Sequence, residues 1–370
     1  MAQKKLILGI LSTLRSHPPE MPFAGQSGPF AELLTYARRR NITAYVFTNE
    51  GFNWSGNQVS GWDYVGEPSQ EWQQKTFPLP DIIYNRIPNR AQESQPAMQE
   101  FLDLLKKRYG PRFFNPGFLD KWETYRLLSS ARHTGCRLPE THYLTGPQTI
   151  RQMLARWGDI YLKPRANSLG IGISRVTTSG GKLICHTLTQ DNSSRTAEFC
   201  NAEELLASLP LWQKGDAYLV QETVQMALYQ ARPFDIRLLA QKDRRGRWRK
   251  TGWAARVAGP GAVTTHVIYG GERMPVSTVL SKSHYSKAVV KANKLAVTLP
   301  KIIESAWQSD FGELEMDIAI DVKGRLNLFE LNAKPFKFDE NMLRAKSLLR
   351  LFHYSHYLAG SRPSSNRKRR

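Results

Sequence analysis

Two carboxylates and an amide near the C-terminus have the spacing of a metal-binding hairpin. In Leu328-Phe329-Glu330-Leu331-Asn332 the acid and the amide stand two residues apart. A strand places residues i and i+2 on one face, so Glu330 and Asn332 point together while Phe329 and Leu331 point into a core. Upstream, Leu314, Met316, Ile318 and Ile320 alternate with acids, Asp317 among them, and Val322-Lys323-Gly324-Arg325 separates the two segments as a turn. If the segments pair, Asp317 meets Glu330 and Asn332 on one face. All three offer the hard oxygen atoms that Mg²⁺ prefers, and that ion is usually held by one or two carboxylates plus substrate phosphates. A half-exposed hairpin with a wet acidic face has the same pattern, so the rest of the chain must decide.

Phosphate chemistry has a second carrier. Asp159–Arg165 is an apolar strand ending in Lys163 and Arg165, and it runs into Ala166-Asn167-Ser168-Leu169-Gly170-Ile171-Gly172. Small residues and glycines let successive backbone N–H groups face one anion, and a lysine adds a full charge. The glycine spacing fits neither a Walker loop nor a dinucleotide fingerprint. Ala217–Val224 is a strand, apolar until Gln221-Glu222, whose end could present polar groups to an adenine and ribose or simply face solvent. Asp235 and Arg237 share a strand face, as an ion pair or as site residues. Arg256 lies in an apolar strand, and a buried arginine is seldom left unpaired. The Gly-rich segment after it, with Thr264, Thr265 and His266, reads as an anion or substrate clamp.

The elements that must position these groups follow in order. Residues 4–11 and 42–47 read as buried strands flanking a helix at 30–40, a β-α-β arrangement that implies a small parallel sheet. Residues 53–76 read as irregular or hairpin-like. A short strand ends at Tyr84-Asn85-Arg86, where a parallel sheet presents ligands. A helix over 92–108 and a strand over 112–115 complete a first unit. A second opens at Asp120, a suitable N-cap for a helix over 121–133. Further helices are expected over 147–157, 283–307 and 341–353.

The bulk numbers bound the class. At 370 residues the chain holds two or three subdomains, and 41% hydrophobic content with 9 Trp excludes a disordered protein. With 52 basic against 32 acidic residues the net charge is +20, which implies an anionic partner. Part of that charge lies in Ser361–Arg370, read as a solvated basic arm. Cys136, Cys185 and Cys200 show neither a CxxC spacing nor an even count, which fits a reducing compartment. The N-terminal apolar run is too short for an export signal and lacks a cleavage site, and no stretch reaches the ~20 apolar residues of a membrane span. The chain is therefore expected to be cytoplasmic, not secreted, with no span and no specific nucleic-acid partner.

Taken together, Lys121, Lys163, the Gly170/Gly172 loop, Gln221-Glu222, Asp235-x-Arg237, Arg256, Asp317 and Glu330-x-Asn332 follow the order of the ATP-grasp superfamily. The whole chain resembles the YheC/YheD family of endospore-coat-associated ATP-grasp proteins. The likeness is carried by Phe77-Pro-Leu-Pro-Asp-Ile-Ile-Tyr-Asn-Arg, Lys121-Trp-Glu-Thr-Tyr, Leu162-Lys-Pro-Arg-Ala-Asn-Ser-Leu-Gly-Ile-Gly-Ile, Phe234-Asp-Ile-Arg and Phe329-Glu-Leu-Asn-Ala-Lys-Pro.

The resemblance implies a mixed α/β and α+β fold: an α/β pre-domain over 1–118, an ATP-grasp domain over 119–358 and a disordered basic tail over 359–370. The nucleotide-gripping lobe would span 119–225 and the metal and substrate lobe 226–358. It implies that Lys121 and Lys163 touch the α- and β-phosphates, and that the Ser168–Gly172 loop closes over the β- and γ-phosphates. Gln221, Glu222 and Val224 would hold adenine, chiefly through backbone. Arg237 and Arg256 would face the γ-phosphate and an acyl-phosphate. Asp317, Glu330 and Asn332 would hold two Mg²⁺ ions, or Mn²⁺, with Glu330 bridging. The implied activity is an ATP-dependent ligase joining a carboxylate to an amine or thiol, the substrate being a peptide or a spore protein. An ATP-grasp phosphotransferase and a non-catalytic coat component are the alternatives, with synthesis in the mother cell and an anionic spore polymer as a partner of the tail. Lys334 departs from the pattern, since many ligases carry a small residue there, and this bears on the acceptor side.

Overall fold

The computed structural model describes residues 5–14, 21–23, 25–66, 71–131, 134–167, 170–189, 193–209, 212, 217–260, 262, 264–265, 269–336, 338 and 340–360. Ser168, His266 and the tail 361–370 lie outside the described residues.

Three sheets carry the fold. The first has the order 71–78, 58–65, 43–53, 7–11, 82–85, 113–114. Ile7–Leu11 pairs in parallel with Thr43–Asn53 and with Ile82–Asn85, which pairs in parallel with Phe113–Phe114. The expected parallel sheet is thus present, and strands Gln58–Val65 and Glu71–Pro78 extend it in antiparallel. Helix Ser27–Arg38 and helix Pro96–Tyr109 flank it, and a buried core lies on each face.

The second sheet is antiparallel, in the order 194–199, 182–188, 174–179, 159–164, 218–222, 141–143. Helices Pro147–Trp157 and Ala202–Ser208 cover one face, where Ile150, Met153, Ile160, Leu162, Leu205 and Val220 form its core. Helix Pro147–Trp157 stops at Gly158, whose φ of 71° is the left-handed cap that favours glycine.

The third sheet runs 272–274, 248–257, 232–242, 313–320, 326–332 and is also antiparallel. Its apolar face, with Ile236, Leu238, Leu314, Met316 and Ile318, packs on helix Lys282–Trp307 through Leu295, Leu299 and Ile303. Helix Lys121–Ser130 opens on Asp120, whose carboxylate accepts from the backbone N–H of Trp122 and Glu123 at 2.9 Å each. It buries Leu128 in this third core rather than in the second. The last helix, Asn341–Gly360, runs seven residues past its expected end at 353. Leu348, Leu351, Phe352, Tyr354 and Leu358 join the core of the first sheet, so the last described helix packs back on that sheet.

Candidate nucleotide and metal site

Strand alternation separates the third sheet into an apolar face and a charged one. Asp235 and Arg237, Arg256, Glu315 and Asp317, and Glu330 and Asn332 come from four adjacent strands. The register pairs Asp235 with Arg256 and with Ala319, Asp317 with Arg237 and with Glu330, and Glu315 with Asn332. The turn of the metal hairpin closes at Gly324, with φ of 70°, and Asp321 accepts from the backbone N–H of Lys323 and Arg325.

The hairpin differs from simple alternation at one point. Asp317 pairs with Glu330 but Ile318 pairs with Leu328, so Phe329 is the extra residue of a β-bulge. Leu328 and Leu331 belong to the third core, whereas Phe329, expected in a core, lines a cavity. A bulge re-aims a side chain, and here the result is a half-buried ring 5.2 Å from the ammonium of Lys163.

That cavity, of about 450 Å³, lies between the second and third sheets. Lys121, Lys163, Gln221, Glu222, Val224, Asp235, Arg256, Asp317 and Glu330 all line it, so nine site positions from distant parts of the chain share one space. Lys163 donates to Gln221 Oε1 at 2.5 Å, and Gln221 donates to Thr141 Oγ1 at 2.8 Å. Burial pushes the Lys163 ammonium down to about 8, against the pull of Glu330 and with a further push from Lys121. Lys121 lies 3.7 Å from Glu330 and donates to the backbone carbonyl of Asn167.

Arg256 holds Asp235 through two bonds, Nε to Oδ1 at 2.9 Å and Nη2 to Oδ2 at 2.5 Å, and meets Asp317 Oδ2 at 2.9 Å. Burial works against the guanidinium charge, but Asp317 and Asp235 outweigh it and hold the group protonated. Glu222 is 3% exposed, and its carboxylate accepts from Arg137 at 2.6 Å and from the backbone N–H of Glu140 at 2.9 Å. Its side chain is thus tied to Arg137, a residue that lacked any motif in the sequence.

Other site positions lie off the cavity wall. Arg237 pairs with Glu315, donates to the carbonyl of Phe336 at 3.1 Å and stacks 4.8 Å from the Phe338 ring. Burial opposes its charge, and Glu315 overcomes that. Asn332 shares the strand of Glu330 but does not line the cavity. Gly170 and Gly172 adopt φ of 80° and 77°, as a phosphate nest requires, but the N–H of Gly172 bonds to Leu188 O at 3.0 Å. Arg165, the second cation of its strand end, pairs with the capping acid Asp120 at 2.8 Å.

Lys334 is buried beside the first sheet, pairing with Glu93, donating to Asn85 Oδ1 at 3.0 Å and lying 4.4 Å from the Phe118 ring. Burial pushes its ammonium down to about 8, opposed by Glu93. Beside it, the buried Asn115 side chain accepts from the N–H of Gly312 at 2.7 Å and donates to Glu313 O at 3.0 Å and to Ala333 O. The two strands 313–320 and 326–332 are thus tied at one end to Asn115 and Glu93, beside the first sheet.

Residues 110–358 match the YheC/D-like ATP-grasp family. The chain belongs to that family. It is 27% identical over 363 residues to the endospore coat-associated protein YheD of Bacillus subtilis strain 168, covering 95% of this chain and 79% of the relative. It is 24% identical over 273 residues to YheC of the same strain, covering 72% of this chain and 74% of that one. Among solved structures the fold is similar to D-alanyl-alanine synthetase A of Vibrio cholerae O1 biovar eltor strain N16961, with a TM-score of 0.54 at 13% identity over 96% of this chain and 97% of the other. Among the described residues no helix is long and apolar enough to cross a membrane.

A metal held in this cavity would rest on oxygen donors. Among the described residues no three His, Cys, Asp or Glu side chains gather as a metal group. Asp317 and Glu330, directly paired across two strands and both on the cavity wall, are a two-carboxylate set. That set suits Mg²⁺ shared with phosphates better than a metal caged by protein alone.

Proposed function

We propose that this YheC/D-like ATP-grasp protein is an ATP- and Mg²⁺-dependent ligase that joins a carboxylate to an amine or thiol. The observation that carries it is the pairing of Asp317 with Glu330 in one cavity with Lys121, Lys163 and the strand end Gln221–Val224. Lys163 and Lys121 suit the triphosphate, and the backbone of Gln221–Val224 suits adenine. Asp317 and Glu330, with Asn332 next along the strand, would hold one or two Mg²⁺ or Mn²⁺ ions. Bound metal would neutralise phosphate charge. Arg256 would stabilise the equatorial oxygens of the transferred phosphoryl group, and Arg237 would hold Glu315 and the 336–338 segment in place.

A substrate carboxylate oxygen attacks the γ-phosphorus, the bond to the β–γ bridging oxygen breaks, and ADP leaves. The amine or thiol then attacks the acyl carbon, loses its proton and expels inorganic phosphate. Such chemistry needs charge neutralisation and positioning more than acid–base groups, and cations facing two carboxylates supply that. The names of YheD and YheC support association with an endospore coat; synthesis in the mother cell and a peptide or spore protein as substrate are further parts of the proposal.

Incubating the full chain with ATP, Mg²⁺ and pooled carboxylates and amines tests this. ADP with a new amide or thioester is the expected result. ADP with a stable phosphorylated product makes the chain a phosphotransferase, and no ADP leaves it a coat component that keeps the fold.

A further inference from the structure

A dense cationic surface lies outside the nucleotide cavity. The turn of the 232–257 hairpin reads Arg244-Arg245-Gly246-Arg247-Trp248-Arg249-Lys250, and Arg244, Arg245, Arg247 and Arg249 are exposed. The last helix passes beside it. A Cβ at Gly246 would sit 2.5 Å from Tyr357, and Arg350 donates to Arg249 O at 3.2 Å and Thr251 Oγ1 at 2.9 Å. Turn and helix therefore form one fixed surface. Arg40, beyond the end of helix Ser27–Arg38, joins them, its guanidinium 3.8 Å from the Tyr36 ring, which stacks on Phe352 of the last helix.

The cations crowd one another. His353 is pushed below its ordinary pKa by burial and then by Arg244, His356, Arg40 and Arg350. Burial pushes Lys346 and Lys250 down as well, helped by Arg350 and by Lys346 respectively. The acid in the turn, Asp243, accepts from the backbone N–H of Arg245 at 2.8 Å and Arg247 at 3.0 Å, with Arg247 and Arg249 at 3.5 Å. It shapes the turn more than it cancels the surface.

We propose that this surface of three elements binds the phosphate backbone of duplex nucleic acid without reading sequence. Lys346 and Arg350 bring full charges and His353 and His356 bring ring N–H donors along the helix, and the stretch from Lys346 to His356 spans about 15 Å at a rise of about 1.5 Å per residue. A single small anion cannot bridge that length. A duplex offers one charge per about 1.7 Å of axis and gains entropy from released counterions. Single strands are held by rows of exposed rings, and among the described residues of this surface Tyr357 is the one large exposed ring. Arginine's planar fork suits phosphate oxygens.

The test is fluorescence anisotropy of the full chain with a random-sequence DNA duplex of about 20 base pairs across 50–200 mM salt. The expected result is binding that weakens steeply with salt and does not change with sequence. Replacing Arg244→Gln, Arg245→Gln and Lys346→Gln together should weaken it by about tenfold or more and flatten the log–log salt slope by about 2.7. A paired substitution, Lys346→Gln with His356→Gln, covers the case in which the triple variant melts early. Wild-type affinity and slope in folded patch variants would overturn the proposal. So would binding lost wholly through Arg367→Ser, Lys368→Ser, Arg369→Ser and Arg370→Ser in the tail. Equal affinity for poly-L-glutamate or oligothymidylate of matched charge would overturn the assignment to a duplex.

Discussion

Glu330 and Lys163 carry the sharpest residue-level consequences. Glu330→Gln keeps shape and removes a charge from a partly exposed position, so it should reduce ATP turnover by about a hundredfold or more with little change in melting. ADP release and calorimetric melting check both halves, and wild-type turnover would break the metal assignment. Lys163 has its folded-state pKa lowered to about 8, from an ordinary value of 10.5. Between those values the unfolded chain binds the proton that the folded chain has shed, so this group's contribution to stability increases as pH rises through that window. Nucleotide affinity runs the other way, because phosphate needs the ammonium. ATP affinity should fall as pH rises through about 8, and binding near that pH should take up a proton. Titration calorimetry in two buffers of different ionisation enthalpy measures this, and Lys163→Met should abolish both effects.

At the scale of elements, the metal hairpin is held from both ends. Its turn is closed by Asp321, and its open end is gripped by Asn115 and, through Lys334, by Glu93 from the side of the first sheet. Removing one partner of a buried ion pair leaves the other charged and unpaired, at a cost of about 3–5 kcal/mol. Lys334→Met should destabilise the protein by that order in urea unfolding, and Lys334→Met with Glu93→Gln should recover much of it. Failure of the second change to help would mean that Lys334 acts through its bonds to Asn85 and Ile87 instead. The bulge at Phe329 is the other element-level feature. Alternation placed Glu330 correctly relative to Asp317, but strict period two could not foresee that Phe329 would leave the core.

On the scale of the whole molecule, a ligand gripped between two sheets stabilises both. ATP with Mg²⁺ at about 100 times its Kd should stabilise the fold by about 2.7 kcal/mol, read as a rise in Tm. Without metal the rise should be smaller, and Glu330→Gln should lose the metal-dependent part. Deleting residues 361–370 should weaken adsorption to anionic polymers and leave this nucleotide effect intact. Loss of both together would show that the tail serves the fold.

Most strands and helices were legible because each has a local cause: the Asp120 cap, the glycine stop at 158 and the alternation of 313–320. Burial of one face is a local demand, and it marks which residues share a strand face. The chain by itself therefore determined the charged face of the third sheet and the order of the nucleotide motifs. Partners across long separations have no such signature. Arg137 on Glu222, Glu315 on Arg237, Glu93 on Lys334 and the basic turn beside the last helix join residues from 78 to 241 positions apart. Only the tertiary structure decided those, because a buried charge takes whichever opposite charge packing brings within reach, and packing is a property of all three sheets together.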